Sequence, residues 1–388
     1  MSESAHKFLC IVGARPNFMK IAPVMRAMNS GRHDMSATLL HTGQHYDASM
    51  KQSFFDQLGI PEPDIDLGVG SGSHAVQTAE VMSRFEPVLD QLKPTAVIVV
   101  GDVNSTIACA LVAVKKDIPV FHIEAGLRSY DRKMPEEINR VLTDQISDLL
   151  FTTESSARDN LLREGIEGDR IHFVGNVMID TLRYNLDRAK PLNETFMDNG
   201  LAERISNFEN RYGLLTLHRP SNVDDPVTLE RLLNVLNELS EQIPLVFPMH
   251  PRTRKCIENA GIGDLINSSG IQILPPVGYL EMLGMMKGAN VVLTDSGGIQ
   301  EETTSLGVPC VTLRENTERP ITVDQGTNTI VGTDAHAIKT AVEDILSTGG
   351  KAGRVPELWD GRAAERIADT IFHWADGQLT EPAPADVA

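Results

Sequence analysis

Short continuous apolar runs alternate along this chain with stretches whose apolar residues recur every three or four positions. Runs at 8–12 (FLCIV), 37–40, 96–102 (AVIVVGD), 119–126 (PVFHIEAG), 148–153 (DLLFTT) and 171–176 (IHFVGN) read as strands buried on both faces. Between them lie helical periods: one carrying Ile21, Val24, Met25 and Met28, one with Phe54, Phe55 and Leu58, then 76–92, a helix from 105 or 106 to 116, and 135–148. The pattern restarts after residue 212. Strands are predicted at 213–217, 244–252, 271–276, 290–296, 309–314 and 328–332, and helices at 226–242 and 335–346 among others. Strict strand–helix alternation predicts parallel sheets with helices on both faces. The fold class is therefore α/β, with two doubly wound Rossmann-like domains of about six units each, whose carboxyl strand ends are expected to face a central cleft. The join falls within 176–212, where KPLNETFMDNG is irregular. The expected domains are 1–178 and 179–362, then a C-terminal helix at 363–376 packing back on the first, and a polar, Pro-rich, disordered tail at 377–388.

Composition narrows the class. With 388 residues the chain exceeds the roughly 250–300 at which a single core stops growing, which agrees with two domains. No apolar run reaches the roughly 18 residues of a membrane span, and MSESAHKFLCIVGARP lacks the basic n-region and cleavage site of a signal peptide. Cys10, Cys109, Cys256 and Cys310 are isolated, without a CxxC pair. A cytoplasmic enzyme with reduced thiols and no metal site is expected. The formal net charge of −18 argues against nucleic acid or an anionic membrane as the main partner.

Charge position says more than charge total. The residues just past the predicted strands include Arg15, Lys20, Arg128, Arg132, His218, Arg219, His250, Arg252, Arg314 and Arg319. A basic set at one topological position in an acidic chain predicts a site for an anionic ligand, and the arginine fork suits a diphosphate. The same positions hold Asp102 and Glu124, with Glu136 opening the next helix. Taken singly, each carboxylate reads as an N-cap or a solvated residue. Three opening onto one basic cleft read as acid–base groups, and Glu124 ends an apolar strand (HIEAGLR), where a carboxylate is costly unless used or paired. In the stretch NVVLTDSGGIQEETTSLGVPCVTLRENTERP, Ser296 sits at an N-cap position, and Gly297 and Gly298 permit close backbone approach. The helix start suits a phosphate, with Glu301 and Glu302 expected in its first turn.

GARPNFMK, TGQHYD, VVGDVNST, HIEAGLRS, PEEINR, the His218–Arg219 pair and TDSGGIQEE with TERP, in that order over residues 11–332, resemble the non-hydrolysing UDP-N-acetylglucosamine 2-epimerases. The resemblance implies a two-Rossmann-domain architecture of the GT-B glycosyltransferase type and a homodimer. It also implies a UDP-sugar substrate and no nicotinamide or metal cofactor. The implied reaction eliminates UDP across C1–C2 to enzyme-bound 2-acetamidoglucal and adds it back with the opposite configuration at C2. By the same resemblance Asp102, Glu124 and Glu136 carry proton transfers and sugar orientation. Arg15, Lys20, Arg140 and His218 lie around the sugar and diphosphate, and His218 joins the catalytic set. Ser296, Gly297 and Gly298 hold phosphate, Glu302 the ribose, and Arg319 adds anchoring.

The chain departs from the family pattern at three places. Gln44, Arg219 and His250 match parts of the regulatory UDP-N-acetylglucosamine site of many bacterial members. Ser73 and His74, however, stand where the pattern has an Arg-Gln pair, and HRPSN replaces HRREN. A serine hydroxyl cannot replace a guanidinium, so ordinary activation is not expected. Met282 stands for the aromatic near the uracil. A glycosyltransferase would share the fold, but the carboxylate trio favours proton chemistry at C2. Hydrolysing 2-epimerases begin GTRADFGK where this chain has GARPNFMK. A 2-epimerase of a UDP-diacetamido-uronic acid and a catalytically silent UDP-sugar sensor are the remaining alternatives.

Overall fold

A computed structural model describes residues 6–43, 62–207, 211–267 and 270–377, with only the backbone of Arg15, Ile205 and Asn267. Gln44, the predicted helix around Phe54, Phe55 and Leu58, and the tail from residue 378 lie outside the described residues. The chain divides into two compact units, Met1–Thr181 with Glu357–Ala388, and Leu182–Pro356.

The first unit carries β1 (His6–Val12), β2 (Met35–His41), β3 (Ile65–Asp66), β4 (Ala96–Val100), β5 (Val120–Ala125), β6 (Leu149–Thr152) and β7 (Ile171–Phe173). They form one parallel sheet in the order β3-β2-β1-β4-β5-β6-β7. Every residue of β4, β5 and β6 is buried, because helices cover both faces. On one face Leu9, Ile11, Val97 and Val99 pack with Val81, Phe85 and Leu89 of the His74–Leu92 helix and Ala108 and Val112 of the Asn104–Lys115 helix. The two-residue β3 left no apolar run to read.

The C-terminal segment is part of this unit, so residues 357–362 group with the first unit and not with the second, where the sequence reading put them. Trp359 is buried, and its indole N–H donates to the Thr153 carbonyl at 3.0 Å. Asp180 supplies a cap from far along the chain. Its carboxylate accepts the N–H groups of Ala363 (3.1 Å) and Ala364 (2.7 Å) at the start of the Ala363–Ala375 helix. Trp374 then meets Phe121 edge-on at 4.9 Å, and Phe372 stacks on His33 at 4.3 Å.

The second unit carries β8 (Gly213–Thr216), β9 (Leu245–Pro248), β10 (Ile271–Leu274), β11 (Val291–Thr294), β12 (Cys310–Thr312) and β13 (Asn328–Ile330). These are again all parallel, in the order β10-β9-β8-β11-β12-β13. Leu215, Phe247, Leu293 and Val311 pack against Leu232 and Leu236 of the Pro226–Ser240 helix and Val342 of the Ala335–Thr348 helix. In each unit the strand order reverses beside the first strand, between β1 and β4 and between β8 and β11. Such a reversal opens a crevice at the carboxyl ends of the two strands.

Candidate functional site

At the reversal in the first unit, Asn17 ties the two strand ends together. Its Oδ1 accepts the Ala14 N–H at 2.9 Å and its Nδ2 donates to the Val100 carbonyl at 3.0 Å. Lys20 follows one turn later in the Arg15–Met28 helix, on the same face. Its Nζ pairs with Glu124 Oε2, and both side chains are buried. Glu124 adopts a left-handed backbone (φ 71°) where the β5–β6 register shifts between Ile123 and Ala125. A non-glycine residue in this region costs about 1–2 kcal/mol, and the bulge re-aims its side chain. Gly101, also at positive φ (68°), faces this pair. A Cβ there would lie 3.2 Å from Glu124 Oε2, 3.4 Å from Asn17 Nδ2 and 3.5 Å from Lys20 Nζ.

Asp102, the next residue, receives Arg140 Nη2 at 2.7 Å and Nε at 3.1 Å. Arg140 Nη1 also pairs with Glu137, which accepts the backbone N–H groups of Ser129 (3.0 Å) and Tyr130 (2.8 Å). Burial works against a charge on Glu137, but those N–H groups and Arg140 outweigh it and hold the carboxyl below its usual range. The two glutamates of PEEINR therefore differ. Glu137 is bound into the loop, while half-buried Glu136 makes no hydrogen bond or ion pair among the described residues.

Behind these groups lies a network that the sequence did not reveal. His122, in the middle of β5 and fully buried, places Nε2 2.8 Å from the Gly101 carbonyl and Nδ1 2.6 Å from Asp144. Asp144 also accepts from Gly126 N at 3.1 Å and pairs with Arg128 at 2.7 Å, and Arg128 continues to Glu164. Ser73 and His74 serve local structure. The Ser73 hydroxyl caps the His74–Leu92 helix at Val76 N (3.3 Å), and the His74 ring lies 3.0 Å from the Asn104 side-chain amide.

At the reversal in the second unit, β11 runs through Asp295 and Ser296 into the Gly297–Leu306 helix. Ser296 is the N-cap residue, but its hydroxyl makes no cap bond, and its own N–H takes Thr294 Oγ1 at 3.0 Å. First-turn N–H groups of this helix therefore remain for an external acceptor. A Cβ on Gly297 would fall 2.7 Å from Glu318 Oε1. Glu318 gathers Arg314 (2.9 Å) and Arg219 (3.6 Å). Burial opposes its charge, yet Arg319, Arg314 and Arg219 hold the carboxyl far below its usual range. Arg314 Nη1 and Arg219 Nε are buried without a hydrogen-bond partner in the described structure, donors suited to an anion.

Asp295 organises the β8 end. It accepts the N–H groups of His218 (2.9 Å) and Arg219 (2.8 Å), and its Oδ1 lies 3.0 Å from His218 Nδ1. Burial opposes ionisation of Asp295, but the His218 bond and charge and these N–H groups lower its pKa. His218 is thereby fixed with Nδ1 toward Asp295. His250 caps the Pro251–Ala260 helix through Arg252 N at 3.1 Å, and its ring lies 5.8 Å from that of His218.

Glu301 and Glu302 depart from the sequence expectation. They are the fifth and sixth residues of the Gly297–Leu306 helix, not in its first turn, and both are buried. The helix begins at Gly297, earlier than placing Glu301 and Glu302 in its first turn requires, so the glycines themselves form that turn. Glu301 pairs with Arg319 at 2.7 Å, while Glu302 accepts the Tyr279 hydroxyl at 2.7 Å. Burial pushes Glu302 up to about 7, with Tyr279 opposing and Glu301 adding. Among the described residues no group of His, Cys, Asp and Glu is placed to hold a metal ion. No described helix is long and apolar enough to cross a membrane.

Comparison with known proteins places this geometry among sugar-nucleotide enzymes. The sequence model of a family described as UDP-N-acetylglucosamine 2-epimerase matches residues 28–372. A UDP-N-acetylglucosamine 2-epimerase of Methanocaldococcus jannaschii is 44% identical over 374 residues, which cover 95% of this chain and 99% of that protein. A UDP-2,3-diacetamido-2,3-dideoxy-D-glucuronate 2-epimerase of Pseudomonas aeruginosa is 43% identical over 371 residues, covering 94% and 99%. The crystal structure of the Methanocaldococcus jannaschii UDP-GlcNAc 2-epimerase in complex with UDP-GlcNAc and UDP superposes with a TM-score of 0.83 at 42% identity, covering 95% of this chain and 99% of that one.

Proposed function

This chain belongs to the UDP-N-acetylglucosamine 2-epimerase family, and on that premise we propose that it interconverts UDP-GlcNAc and UDP-ManNAc without hydrolysis. The observation that carries the reading is the pair of carboxylates at adjacent strand ends, Asp102 after β4 and Glu124 in β5, each held by a cation. Removing the weakly acidic C2 proton needs a base, returning one to the opposite face needs an acid, and a departing diphosphate needs positive charge. The C2–H and C1–O bonds break, the C1–C2 double bond forms, and UDP leaves with the C1–O electron pair. Re-addition of UDP reverses these changes, with protonation on the other face.

In this reading Asp102, Glu124 and Glu136 share the proton transfers and sugar orientation. Arg15, Lys20, Arg140 and His218 are assigned to binding the sugar and diphosphate. Ser296, Gly297 and Gly298 offer N–H groups to phosphate, Glu302 accepts from the ribose, and Arg319 steadies Glu301 beside it. Arg219 and His250 are the described members of a regulatory site that lacks its guanidinium at Ser73. The enzyme works as a cytoplasmic homodimer without a cofactor and supplies ManNAc-type sugars for surface polysaccharide.

Incubation with UDP-GlcNAc in D2O, followed by NMR, tests the reaction. Deuterium at C2 of recovered substrate and appearance of UDP-ManNAc are expected. Retention of protium at C2 by folded enzyme sinks the elimination mechanism. A second substrate reading, a UDP-2,3-diacetamido-uronic acid, is favoured by the Pseudomonas aeruginosa relative at nearly equal identity. Turnover of the two sugar nucleotides side by side separates them.

A further inference from the structure

We propose that His122 is a positioning residue, held as a buried cation by Asp144, which sets the two catalytic carboxylates Asp102 and Glu124 in register. The proposal rests on the reading of those carboxylates given above. It begins from hydrogen-bond inventory. His122 Nε2 faces the Gly101 carbonyl at 2.8 Å, and a carbonyl can only accept, so Nε2 carries a proton. Nδ1 faces Asp144 Oδ1 at 2.6 Å. Asp144 Oδ2 accepts the Gly126 N–H at 3.1 Å and pairs with Arg128 Nη2 at 2.7 Å. The Arg128 guanidinium and the Gly126 N–H can only donate, so Asp144 stands among donors as a carboxylate and takes Nδ1 as a donor too. The ring is then an imidazolium balanced by Asp144, and buried Arg128 is balanced in turn by partly exposed Glu164. Among the described residues it pairs with Asp144 directly, with Arg128 and Glu164 beyond.

The contacts explain why the group is there. Gly101 O belongs to the peptide that leads into Asp102. Gly126 N lies two residues past Glu124, across the bulge that leaves Glu124 at positive φ. One ring and one carboxylate therefore grip the backbone beside both reactive side chains, from neighbouring strands, without touching the substrate. Neither Gly101 nor Gly126 can take a side chain without strain: both sit at positive φ, and a Cβ on Gly126 would lie 2.4 Å from the Ala157 carbonyl oxygen. Misplacement of reacting groups by about 1 Å costs on the order of 10²-fold in rate, so holding these two peptides is worth a buried ion pair.

Two measurements test this. In uniformly deuterated, 15N-histidine-labelled enzyme at pH 8.5, one imidazole should show protons on both nitrogens, identified by its loss in His122→Gln. Should that variant not fold, the signal is identified by its displacement in Arg128→Lys. A His122 ring with a single ring proton at that pH overturns the cationic assignment, whatever the enzyme's reaction proves to be. In kinetics, His122→Gln should lower kcat for C2 deuterium exchange by at least ~10-fold, with KM changed by less than ~3-fold and UDP affinity retained. Asp144→Asn, which keeps an acceptor and loses the charge, should reproduce the kcat loss. Rates within about twofold of the parent in either folded variant overturn the positioning role. Absence of C2 exchange in the parent enzyme instead removes the functional reading and leaves the NMR result standing.

Discussion

The two units use the same topological device for different ends. Each reverses its strand order beside its first strand, and at each reversal a polar side chain ties the two strand ends: Asn17 between β1 and β4, Asp295 between β8 and β11. In the first unit the carboxylates at this place, Asp102 and Glu124, are each paired to a cation and are the groups we propose to react. In the second unit the carboxylates are absorbed into structure. Asp295 fixes His218 and Arg219, Glu318 gathers arginines, and what is left for a ligand is a helix N-terminus with buried guanidinium donors. On the proposed reading, one crevice moves protons and the other holds negative charge.

That contrast is broken most directly by neutralising carboxylates in the first unit. Asp102→Asn and Glu136→Gln should fold and bind UDP but lose at least ~10²-fold in kcat. Full activity in either removes that residue from the proton-transfer set. In the second unit the opposite split is expected. Gly297→Ala drives a methyl toward Glu318 Oε1 and should weaken UDP about tenfold, or about 1.4 kcal/mol, with kcat at saturation little changed. Calorimetry with UDP and a saturation curve measure the two quantities, and a pure kcat effect would erase the division of labour.

A smaller effect concerns Glu302. Its folded pKa is raised from 4.5 to about 7. Its contribution to stability is therefore fully present below pH 4.5 and is lost as pH rises through about 7. Accepting ribose hydroxyls favours the ionised form, so UDP affinity should rise several-fold from pH 6 to pH 8. Glu302→Gln should flatten both dependences. A pH-independent affinity in the parent enzyme would show that Glu302 does not titrate against the nucleotide. The smallest effect belongs to Asp180→Ala, which removes the cap of the C-terminal helix and should cost about 1 kcal/mol by urea denaturation. Asp180 is raised to about 6 by burial, so its own contribution fades as pH rises from 3.8 through about 6, and the penalty for removing it should be larger at pH 4 than at pH 8.

Much of this was legible because parallel α/β sheets put function at strand ends. The apolar runs marked nearly every strand, and the basic residues beyond them marked the crevices. Motif resemblance singled out Glu136 rather than Glu137, and in the structure it is Glu137 that is engaged by Ser129, Tyr130 and Arg140. The illegible parts lie in the middle of elements. His122 sits inside what reads as a core strand and Asp144 inside an amphipathic helix, and only long-range contact makes them a network. Tyr279, which holds Glu302, is 23 residues away in sequence, and Asp180 is 183 and 184 residues from the amides it caps. Sequence spacing carries no trace of such pairings.

The strained backbone at Glu124 also constrains how this protein can change. Glycine would relieve the positive φ, by about 1–2 kcal/mol. But Glu124→Gly strands the Lys20 ammonium in the interior, and breaking a buried pair from one side costs about 3–5 kcal/mol. The relaxed sequence is thus separated from the present one by a less stable intermediate, and reaching it takes two coordinated substitutions. The ion pair acts as a ratchet, keeping an energetically awkward residue in place against single-step drift.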